Sequence, residues 1–284
     1  MPTLKEYNVK LARLRSTHKM TKTMKMVAAN KLRKAQEACR KATEYADRMN
    51  RVVRRVASDN DLLDHPLFKP AAQGGGALIL VVTSDRGLCG GFNNNLNKKV
   101  LKWLSSHKAA VVCCGRKGFI YLKSRVSVQK LHEGMSARPA PADAMKVGGE
   151  VLKAFLDGEA GEVYLAYNVS TSSMSHQPTI ERILPVERPK AVAGPEESLQ
   201  AWLVEPKPSE FLDALMPRYV NMKVFYALAS NAMGEHGARM SAMENATRNA
   251  ENLISLTSLL RNRARQTKIT TELSEIVAGA EAQK

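Results

Sequence analysis

The sequence predicts a small doubly wound type α/β domain between two long helices that pair as an antiparallel coiled coil. Residues 3–65 contain neither Gly nor Pro, the residues that most readily end a helix. Apolar residues recur at spacings of three and four along both ends of the chain, and β-rich runs alternate with helical stretches between them. We expect an N-terminal coiled-coil helix over residues 1–57, an α/β domain over 74–190 and a C-terminal coiled-coil helix over 209–284.

The N-terminal helix carries a stripe of the kind that coiled coils bury. Its positions are Leu4, Tyr7, Leu11, Leu14, His18, Thr21, Lys25, Ala28, Leu32, Ala35, Cys39, Ala42, Ala46, Met49, Val53 and Val56. The three polar positions are consecutive, from His18 to Lys25, and across that gap Met20, Met24 and Val27 form a shifted apolar stripe. We therefore expect the partner surface at this level to differ from the partner surface above and below it.

The C-terminal helix is expected to begin near Glu210 with Ser209 as its cap, to tolerate Pro217 and to run to about Val277. Its predicted stripe is rich in small residues, which let two backbones approach closely. The stripe comprises Ala229, Ala232, His236, Arg239, Met243, Ala246, Ala250, Leu253, Thr257, Leu260 and Ala264. Gly234 and Gly237 are expected to weaken the helix locally.

The end of the C-terminal helix is expected to outrun its partner by roughly 15–20 residues. It carries Ile269, Leu273, Ile276 and Val277 with little of its own chain left to cover them, which indicates an apolar sleeve in another protein. The alternative is that both helices fold against the α/β domain as ordinary core. That alternative does not explain why the stripes continue beyond the width of such a domain.

The net charge of +16 is unevenly placed, because residues 1–57 hold 16 Lys and Arg against 4 Asp and Glu. Such a basic helix favours an anionic partner: nucleic acid, an anionic lipid surface or an acidic protein surface. No stretch is apolar enough to span a membrane, and the Met1 start shows no leader pattern. The four cysteines lack metal or disulfide spacing, so we expect free thiols in a reducing compartment.

The middle of the chain alternates strand and helix patterns. Strands are predicted over 77–83, 109–114, 163–169 and 179–187, helices up to 106, up to 122 and over 144–156, a loop over 138–142 and a polar turn over 190–198. A glycine-rich turn, Ser84 to Asn93, matches neither phosphate-binding glycine motif. A tight turn that needs positive φ is the favoured explanation, and an anion site is the alternative.

Catalytic patterns are otherwise weak. Glu235-His236 and His132-Glu133 lack the second histidine of a zinc-binding helix, and the GxSxG motif is missing from the sequence. We therefore expect no catalytic residue, no metal and no cofactor.

Three sets of motifs resemble the gamma subunit of F-type ATP synthases and occur in that family's order. They are KMTKTMKMVAA at 19–29 with KLRKAQ at 31–36, SDRGLCGGFN at 84–93, and EHGARMSAMENATRNA at 235–250 continued by NRARQTKITTEL at 262–273 and EIV at 275–277. Residues 120–208 carry no strong motif of the family, so strand placement there rests on pattern alone.

The resemblance implies a non-catalytic rotor shaft that couples rotation of a membrane c-ring to ATP synthesis or hydrolysis at beta-subunit sites. Its implied partners are the alpha and beta subunits around the coil, with the epsilon subunit and the c-ring at the globular end. Membrane association would be indirect, at the cytoplasmic face of a bacterial inner membrane. The Met1 start favours a bacterial protein over a processed mitochondrial one, and the missing Cys-bearing insertion argues against thiol-linked regulation.

By motif, the resemblance assigns contact with the beta subunits to Lys19, Met24, Arg265, Gln266, Thr270 and Glu272. The apolar tip, Ile269, Leu273, Ile276 and Val277, would turn in a bearing. The alternative that the six polar and Met positions only stabilise the coil stays open.

Two other functions are the alternatives to a rotor shaft. One is a basic helical protein that binds nucleic acid or acts as a scaffold, and the other is a nucleotide-using α/β enzyme built on the turn at 84–93. The 5% aromatic content and the lack of a recognition motif argue against nucleic-acid binding.

Overall fold

The computed structural model describes residues 3–56, 66–69, 75–170, 172, 175–186 and 208–281. Its helices are α1 (Leu4–Val56), α2 (Phe92–Leu104), α3 (Arg116–Leu122), α4 (Pro141–Leu156) and α5 (Pro208–Glu281). Its strands are β1 (Ala77–Val82), β2 (Ala109–Cys114), β3 (Val128–His132), β4 (Glu162–Ser170) and β5 (His176–Leu184). The chain divides into two compact units, which we name the coil unit (residues 1–28 and 240–284) and the sheet unit (residues 29–239).

The sheet unit is built on five strands in the order β3-β2-β1-β4-β5. The first four strands are parallel to their neighbours and β5 is antiparallel to β4. Leu78, Leu80 and Val82 of β1 pack with residues of α4, α5 and the later part of α1. Ile79 and Val81 point to the other face, against α2 and α3. Helices therefore cover both faces of the sheet, and the predicted doubly wound type of fold is confirmed.

One strand was not predicted, and two predicted elements begin at other residues than expected. Strand β3 was missed, because Val128–His132 is a short, partly exposed edge strand that contains a lysine and lacks a buried apolar run. Helix α4 begins at Pro141, inside the predicted loop, since proline is well suited to a first helical turn. Strand β5 runs over His176–Leu184 and begins earlier than predicted. The predicted turn at 190–198 and parts of the predicted domain boundaries lie outside the described residues.

Helices α1 and α5 pair antiparallel in the coil unit, which confirms the predicted coiled coil. His18 contacts Glu251, Thr21 contacts Thr247 and Lys25 contacts Glu244. If this register continues, Leu4 lies near the level of Arg265, so residues 266–281 extend past the start of α1. This overhang has the length that the sequence predicts.

The buried face of α1 coincides with its predicted stripe. Its buried positions are Leu11, Thr21, Ala28, Leu32, Cys39, Ala42, Ala46, Met49 and Val53. On α5 the predicted stripe is confirmed at Thr257, which is buried, and is wrong at Leu253 and Leu260, which are 46% and 36% exposed while Ile254 is partly buried. From Ala250 the buried face follows spacings of four and then three residues, whereas the predicted stripe follows three and then four.

Gly234 lies inside α5 for a packing reason. A Cβ at this position would clash with the Ser170 hydroxyl and lie 2.7 Å from the Phe92 ring. Helix α5 continues through Gly234 and Gly237 without interruption, because the sheet unit buries both glycines. Tertiary packing therefore outweighs the low helix propensity of glycine here.

Candidate functional site: the exposed surface of the coil unit

All six residues assigned to beta-subunit contact lie exposed in the coil unit: Lys19, Met24, Arg265, Gln266, Thr270 and Glu272. They form two groups. The register places Lys19 and Met24 level with the part of α5 between Glu244 and Glu251. The other four begin about 20 Å further along α5, at 1.5 Å of rise per residue. The structure therefore does not bring the six residues together into one site.

In the second group, Thr270 and Glu272 make contacts within their own helix. Glu272 lies 3.4 Å from the Lys268 ammonium, one turn away, and both side chains are more than half exposed. The Thr270 hydroxyl donates to the Gln266 carbonyl at 3.0 Å. These contacts support a single helix and do not tie α5 to α1.

The apolar tip is exposed along one face of α5. Ile269, Leu273, Ile276 and Val277 are 52%, 61%, 69% and 51% exposed. Their spacing of four, seven and eight residues from Ile269 places them on one helical stripe. A stripe of large apolar side chains at this exposure marks a surface that another protein covers.

Helix α5 carries a second exposed apolar surface, which the sequence did not predict. Leu253, Leu256, Leu259 and Leu260 are 46%, 53%, 49% and 36% exposed. Leu253 and Leu260 belong to the stripe that the sequence predicts to be buried. The signal that could have revealed this surface is the surplus of leucines, since one narrow coiled-coil stripe cannot bury all of them.

The contact between α1 and α5 continues through polar residues at the level where the apolar stripe of α1 is interrupted. Thr21 is buried and accepts a hydrogen bond of 2.8 Å from the Thr247 hydroxyl, and Lys25 lies 2.9 Å from Glu244. The partner surface at His18–Lys25 therefore differs from the rest of the contact, as the sequence predicts, but α5 itself supplies it, so the helix pair continues through this level. The shifted stripe of Met20, Met24 and Val27 is what faces outward, at 56%, 36% and 50% exposure.

The basic charge of α1 lies on its surface. Its exposed cationic side chains, over the part whose burial is described, are Lys5, Lys10, Arg13, Arg15, Lys19, Lys22, Lys31, Arg33, Lys34, Arg40, Lys41, Arg48 and Arg51. Lys25 is half-buried by its contact with Glu244. The helix therefore presents a field that attracts an acidic partner surface.

The glycine-rich turn at 84–93 is held by its own chain. The Asp85 carboxylate accepts hydrogen bonds from the Arg116 and Gly134 amides and from the Ser136 hydroxyl, at 3.0, 3.1 and 2.8 Å. Gly90 has φ of 58° and Leu88 has φ of 63°, so positive φ is required at two of its positions. These contacts favour the structural explanation of the turn over an anion site.

Residues of the EHGAR motif fasten that turn to α5 within the sheet unit. The Arg239 guanidinium lies 2.6 Å from the Glu235 carboxylate and donates to the Gly87 carbonyl at 3.1 and 3.2 Å. Burial raises the pKa of Glu235, which is 1% exposed, although the charge of Arg239 opposes the shift. Burial also lowers the pKa of the neighbouring His236 to about 4. The motif thus has a structural role in this fold.

The part of the chain that the structure describes was compared with two further kinds of site, a cluster of metal ligands and a membrane-spanning helix. Its residues form no group of three or more His, Cys, Asp or Glu side chains that could hold a metal ion. Among the described helices, none combines the length and apolar content that crossing a membrane requires. The four cysteines are buried as free thiols.

Comparisons with known proteins agree on one family. The family model described as ATP synthase matches residues 3–283. The ATP synthase gamma chain of Geotalea daltonii is 39% identical and that of Anaeromyxobacter sp. (strain Fw109-5) is 40% identical, each over the full length of both chains. The gamma chain of Anaeromyxobacter dehalogenans (strain 2CP-C) is 41% identical over 99% of this chain and all of the relative.

Solved structures share the fold. A chain of the Euglena gracilis mitochondrial ATP synthase, solved as OSCP/F1/c-ring, has a TM-score of 0.67 at 20% identity and covers 99% of this chain and 94% of its own. A chain of the Tetrahymena thermophila mitochondrial ATP synthase, solved as central stalk/c-ring, has a TM-score of 0.64 at 22% identity. That match covers 80% of this chain and 99% of the other.

Proposed function

The chain belongs to the family of ATP synthase gamma chains, and from that premise we propose that it is the central rotor shaft of a proton-translocating F-type ATP synthase. In this role it is a non-catalytic subunit that couples rotation of a membrane c-ring to the beta-subunit catalytic sites. Its proposed partners are the alpha and beta subunits of the catalytic head, the epsilon subunit and the c-ring. The nucleic-acid-binding alternative finds no support among the relatives.

One observation carries the proposal: the C-terminal helix continues past its antiparallel partner with an uncovered apolar face. Residues 266–281 of α5 lie beyond the start of α1, and the apolar tip within them is more than half exposed at every position. A single exposed helix of this kind gains little stability by itself. A ring of subunits that encloses the tip would cover its apolar face and still let it turn, since apolar contacts have no directional bonds to break.

A shaft changes the chemistry of its neighbours only through unequal contacts. Switching a site from a 1:99 to a 99:1 population needs about 5.5 kcal/mol of differential interaction. The coil unit can make such unequal contacts, because its surfaces differ around the helix pair. They are the basic face of α1, the exposed leucines of α5 and the apolar tip. Each beta subunit would therefore meet a different surface at each angle of rotation.

We assign the contacts with the beta subunits to Lys19 and Met24 on α1 and to Arg265, Gln266, Thr270 and Glu272 on α5. Their exposure and their contacts within one helix leave the side chains available to a partner. The charged members can steer and fix register against acidic loops, as charged contacts do in other interfaces.

The location follows from the same role. As a peripheral part of the complex, the chain would attach to the membrane through the c-ring, on the cytoplasmic face of a bacterial inner membrane. Within the chain, residues 1–57 and 209–284 would form the shaft, and residues 74–190 the globular part that meets the epsilon subunit and the c-ring.

Co-expression with the alpha and beta subunits tests the assignment. The expected result is a complex that contains this chain once per six-membered ring and hydrolyses ATP. Recovery of the chain free of the ring, or bound to nucleic acid at physiological salt, would contradict the proposed function.

Replacing Arg265 and Gln266 together by Ala tests the proposed contacts. Arg248 and Asn249 are a matched control, because they are an exposed Arg and amide pair on the same helix. We expect the first pair of substitutions to lower ATP synthesis and hydrolysis by the assembled complex more than the control pair does, with the sheet unit folded in both. Full turnover of the Arg265 and Gln266 double variant would remove these residues from the contact surface.

A further inference from the structure

A cluster of polar side chains lies between α1 and α5 inside the coil unit. We name it the polar layer: His18, Thr21 and Lys25 of α1 with Glu244, Thr247 and Glu251 of α5. We propose that the polar layer positions Lys19 and Met24 for contact with a beta subunit by fixing the rotation of α1 about its own axis. This inference rests on the proposed function and adds positioning residues to it.

The centre of the layer is a pair of hydroxyl groups. The Thr21 hydroxyl donates to the His18 carbonyl at 3.1 Å. The Thr247 hydroxyl lies 2.8 Å from the Thr21 hydroxyl and 2.7 Å from the Met243 carbonyl, so its one proton is divided between these two acceptors. Thr21 is 9% exposed, so the pair is shielded from water on the α1 side. A buried hydrogen bond is directional and costly to leave unmade, unlike a contact between apolar side chains.

A polar contact to a glutamate flanks the hydroxyl pair on each side. Lys25 Nζ lies 2.9 Å from Glu244 Oε1, and His18 Nε2 lies 2.8 Å from Glu251 Oε1. The hydrogen bond from Lys25 holds the pKa of the Glu244 carboxyl below its usual value, so this carboxyl is ionised in the pair. Turning α1 by one residue, about 100°, would break all three contacts of the layer.

The rest of the seam does not fix this rotation well. Its buried members next to the layer are Ala28 of α1 with Met243 and Ala250 of α5, and short or flexible side chains of this kind accept several packing arrangements. A shift of α5 by one heptad would oppose Thr21 to Met240 or Ile254 instead of Thr247 and would lose one of the two glutamate contacts. A single polar position in an apolar seam specifies register in other coiled coils in the same way.

The residues that the layer would position lie directly beside it. Lys19 follows His18 and Met24 precedes Lys25, and both side chains are exposed. Because the direction of each side chain on a helix is set by the rotation of that helix, the contacts of His18 and Lys25 also set where Lys19 and Met24 point. The layer thereby connects the packing of the coil to the surface that meets the partner.

The hydroxyl pair gives a test that separates positioning from stability. Replacing Thr21 and Thr247 together by Val keeps the shape and removes both hydroxyls, so the melting temperature of the full chain should stay the same or rise. The ratio of proton-driven ATP synthesis to ATP hydrolysis in the assembled complex should fall by roughly twofold to tenfold, the factor that one hydrogen bond supplies. A double variant that couples as well as the unaltered complex would overturn the proposal.

Charge reversal gives an independent test. K25E and E244K each bring like charges together and should lower the coupling ratio, whereas K25E/E244K restores the pair with its charges exchanged and should restore the ratio. If Lys25 acted by touching an acidic partner, the double variant would stay impaired, and that result would overturn the proposal. K22E is the control, since Lys22 is an exposed lysine one turn away. An equal loss in K22E would assign the effect to net charge and would also overturn the proposal.

These tests are separate from the test of the rotor role. If the proposed function failed, the unaltered chain would not assemble into a coupled complex. If only the positioning inference failed, the unaltered complex would couple and the layer variants or the K22E control would give one of the overturning results described above.

Discussion

The sheet unit buries most of its large apolar residues within its own fold, and the coil unit leaves more of them exposed. In β1, Ile79, Leu80, Val81 and Val82 are 0% exposed, and helices cover both faces of the strand. On α5 of the coil unit, Leu253, Leu256 and Leu259 are about half exposed. The difference teaches that the sheet unit is complete as a folding unit, whereas the coil unit is shaped for surfaces that other chains supply.

The two units also use polar groups differently. In the sheet unit, Arg239 and Glu235 fasten the turn at 84–93 from a site that is nearly sealed from water. In the coil unit, Lys25 and Glu244 pair while each side chain stays 39% exposed. Removing a partner should therefore be costly in stability in the first unit and should matter mainly for alignment in the second.

The largest expected effect is in the core of the sheet unit. Leu80→Ala should lower the free energy of unfolding by about 3–4 kcal/mol, because it removes buried methyl groups and leaves a cavity between well-packed layers. Urea denaturation followed by circular dichroism measures it. The control is Leu156→Ala in the same unit, where the side chain is 55% exposed and the cost should stay below about 1 kcal/mol. Equal costs for the two variants would show that the sheet unit is not the self-contained core described above.

The next effect concerns Arg239 and depends on pH. Arg239→Ala leaves the Glu235 carboxyl buried without its cation, so the pKa of Glu235 should rise further above its already raised value. A carboxyl with a raised folded-state pKa costs stability as pH rises above its unfolded-state value. We expect a loss of about 2–3 kcal/mol at pH 8 and a much smaller loss near pH 4.5. Urea titrations at the two pH values measure this, and a loss that is the same at both would contradict it.

The third effect is a loss of stability on acidification, whereas the loss expected for Arg239→Ala grows as pH rises. The pKa of His236 is lowered to about 4 by burial, so the folded state keeps this imidazole neutral when the unfolded state takes up a proton. The associated stability is present above about pH 6.5 and is lost as pH falls toward 4, amounting to about 2–3 kcal/mol. His236→Gln should flatten this dependence in melting curves taken across that range. A variant that loses stability on acidification as steeply as the unaltered chain would refute the assignment.

The smallest effect on stability is expected at the exposed leucines of the coil unit. Replacing Leu253 and Leu256 together by Ser should change the free energy of unfolding of the isolated chain by no more than about 1 kcal/mol, since neither side chain is buried. The same substitutions should reduce the yield of assembled complex, because a partner would cover this surface. Calorimetry and size-exclusion chromatography measure the two quantities. A large loss in the isolated chain would mean that the coil unit covers these leucines itself.

Much of the fold could be predicted from the sequence because its strongest signals are periodic. The stripe on α1 matches the positions that the structure buries, and the continuous apolar run at 77–82 became the central strand. Strand β3 carried no such signal, because an edge strand is only partly buried. The stripe on α5 was wrong only at Leu253 and Leu260, because leucines occur on both sides of the buried face and hydrophobicity alone could not choose between them.

The candidate site was less predictable for a different reason. The polar layer looked like a break in the seam, since His18, Thr21 and Lys25 find their partners more than 200 residues away in the sequence. Local pattern cannot reveal which distant side chain satisfies a buried polar group. The six proposed contact residues stay a prediction, because the surface that would meet them belongs to other subunits.

Hydrogen exchange of the full chain, alone and in the assembled complex, tests the central contrast most directly. Amides of residues 77–82 should be protected in both states, because the sheet unit supplies its own cover. Amides of residues 266–281 should exchange rapidly in the isolated chain, as expected of an unsupported helix, and become protected only in the complex. Equal protection of residues 266–281 in both states would contradict the account, since the tip would then need no partner.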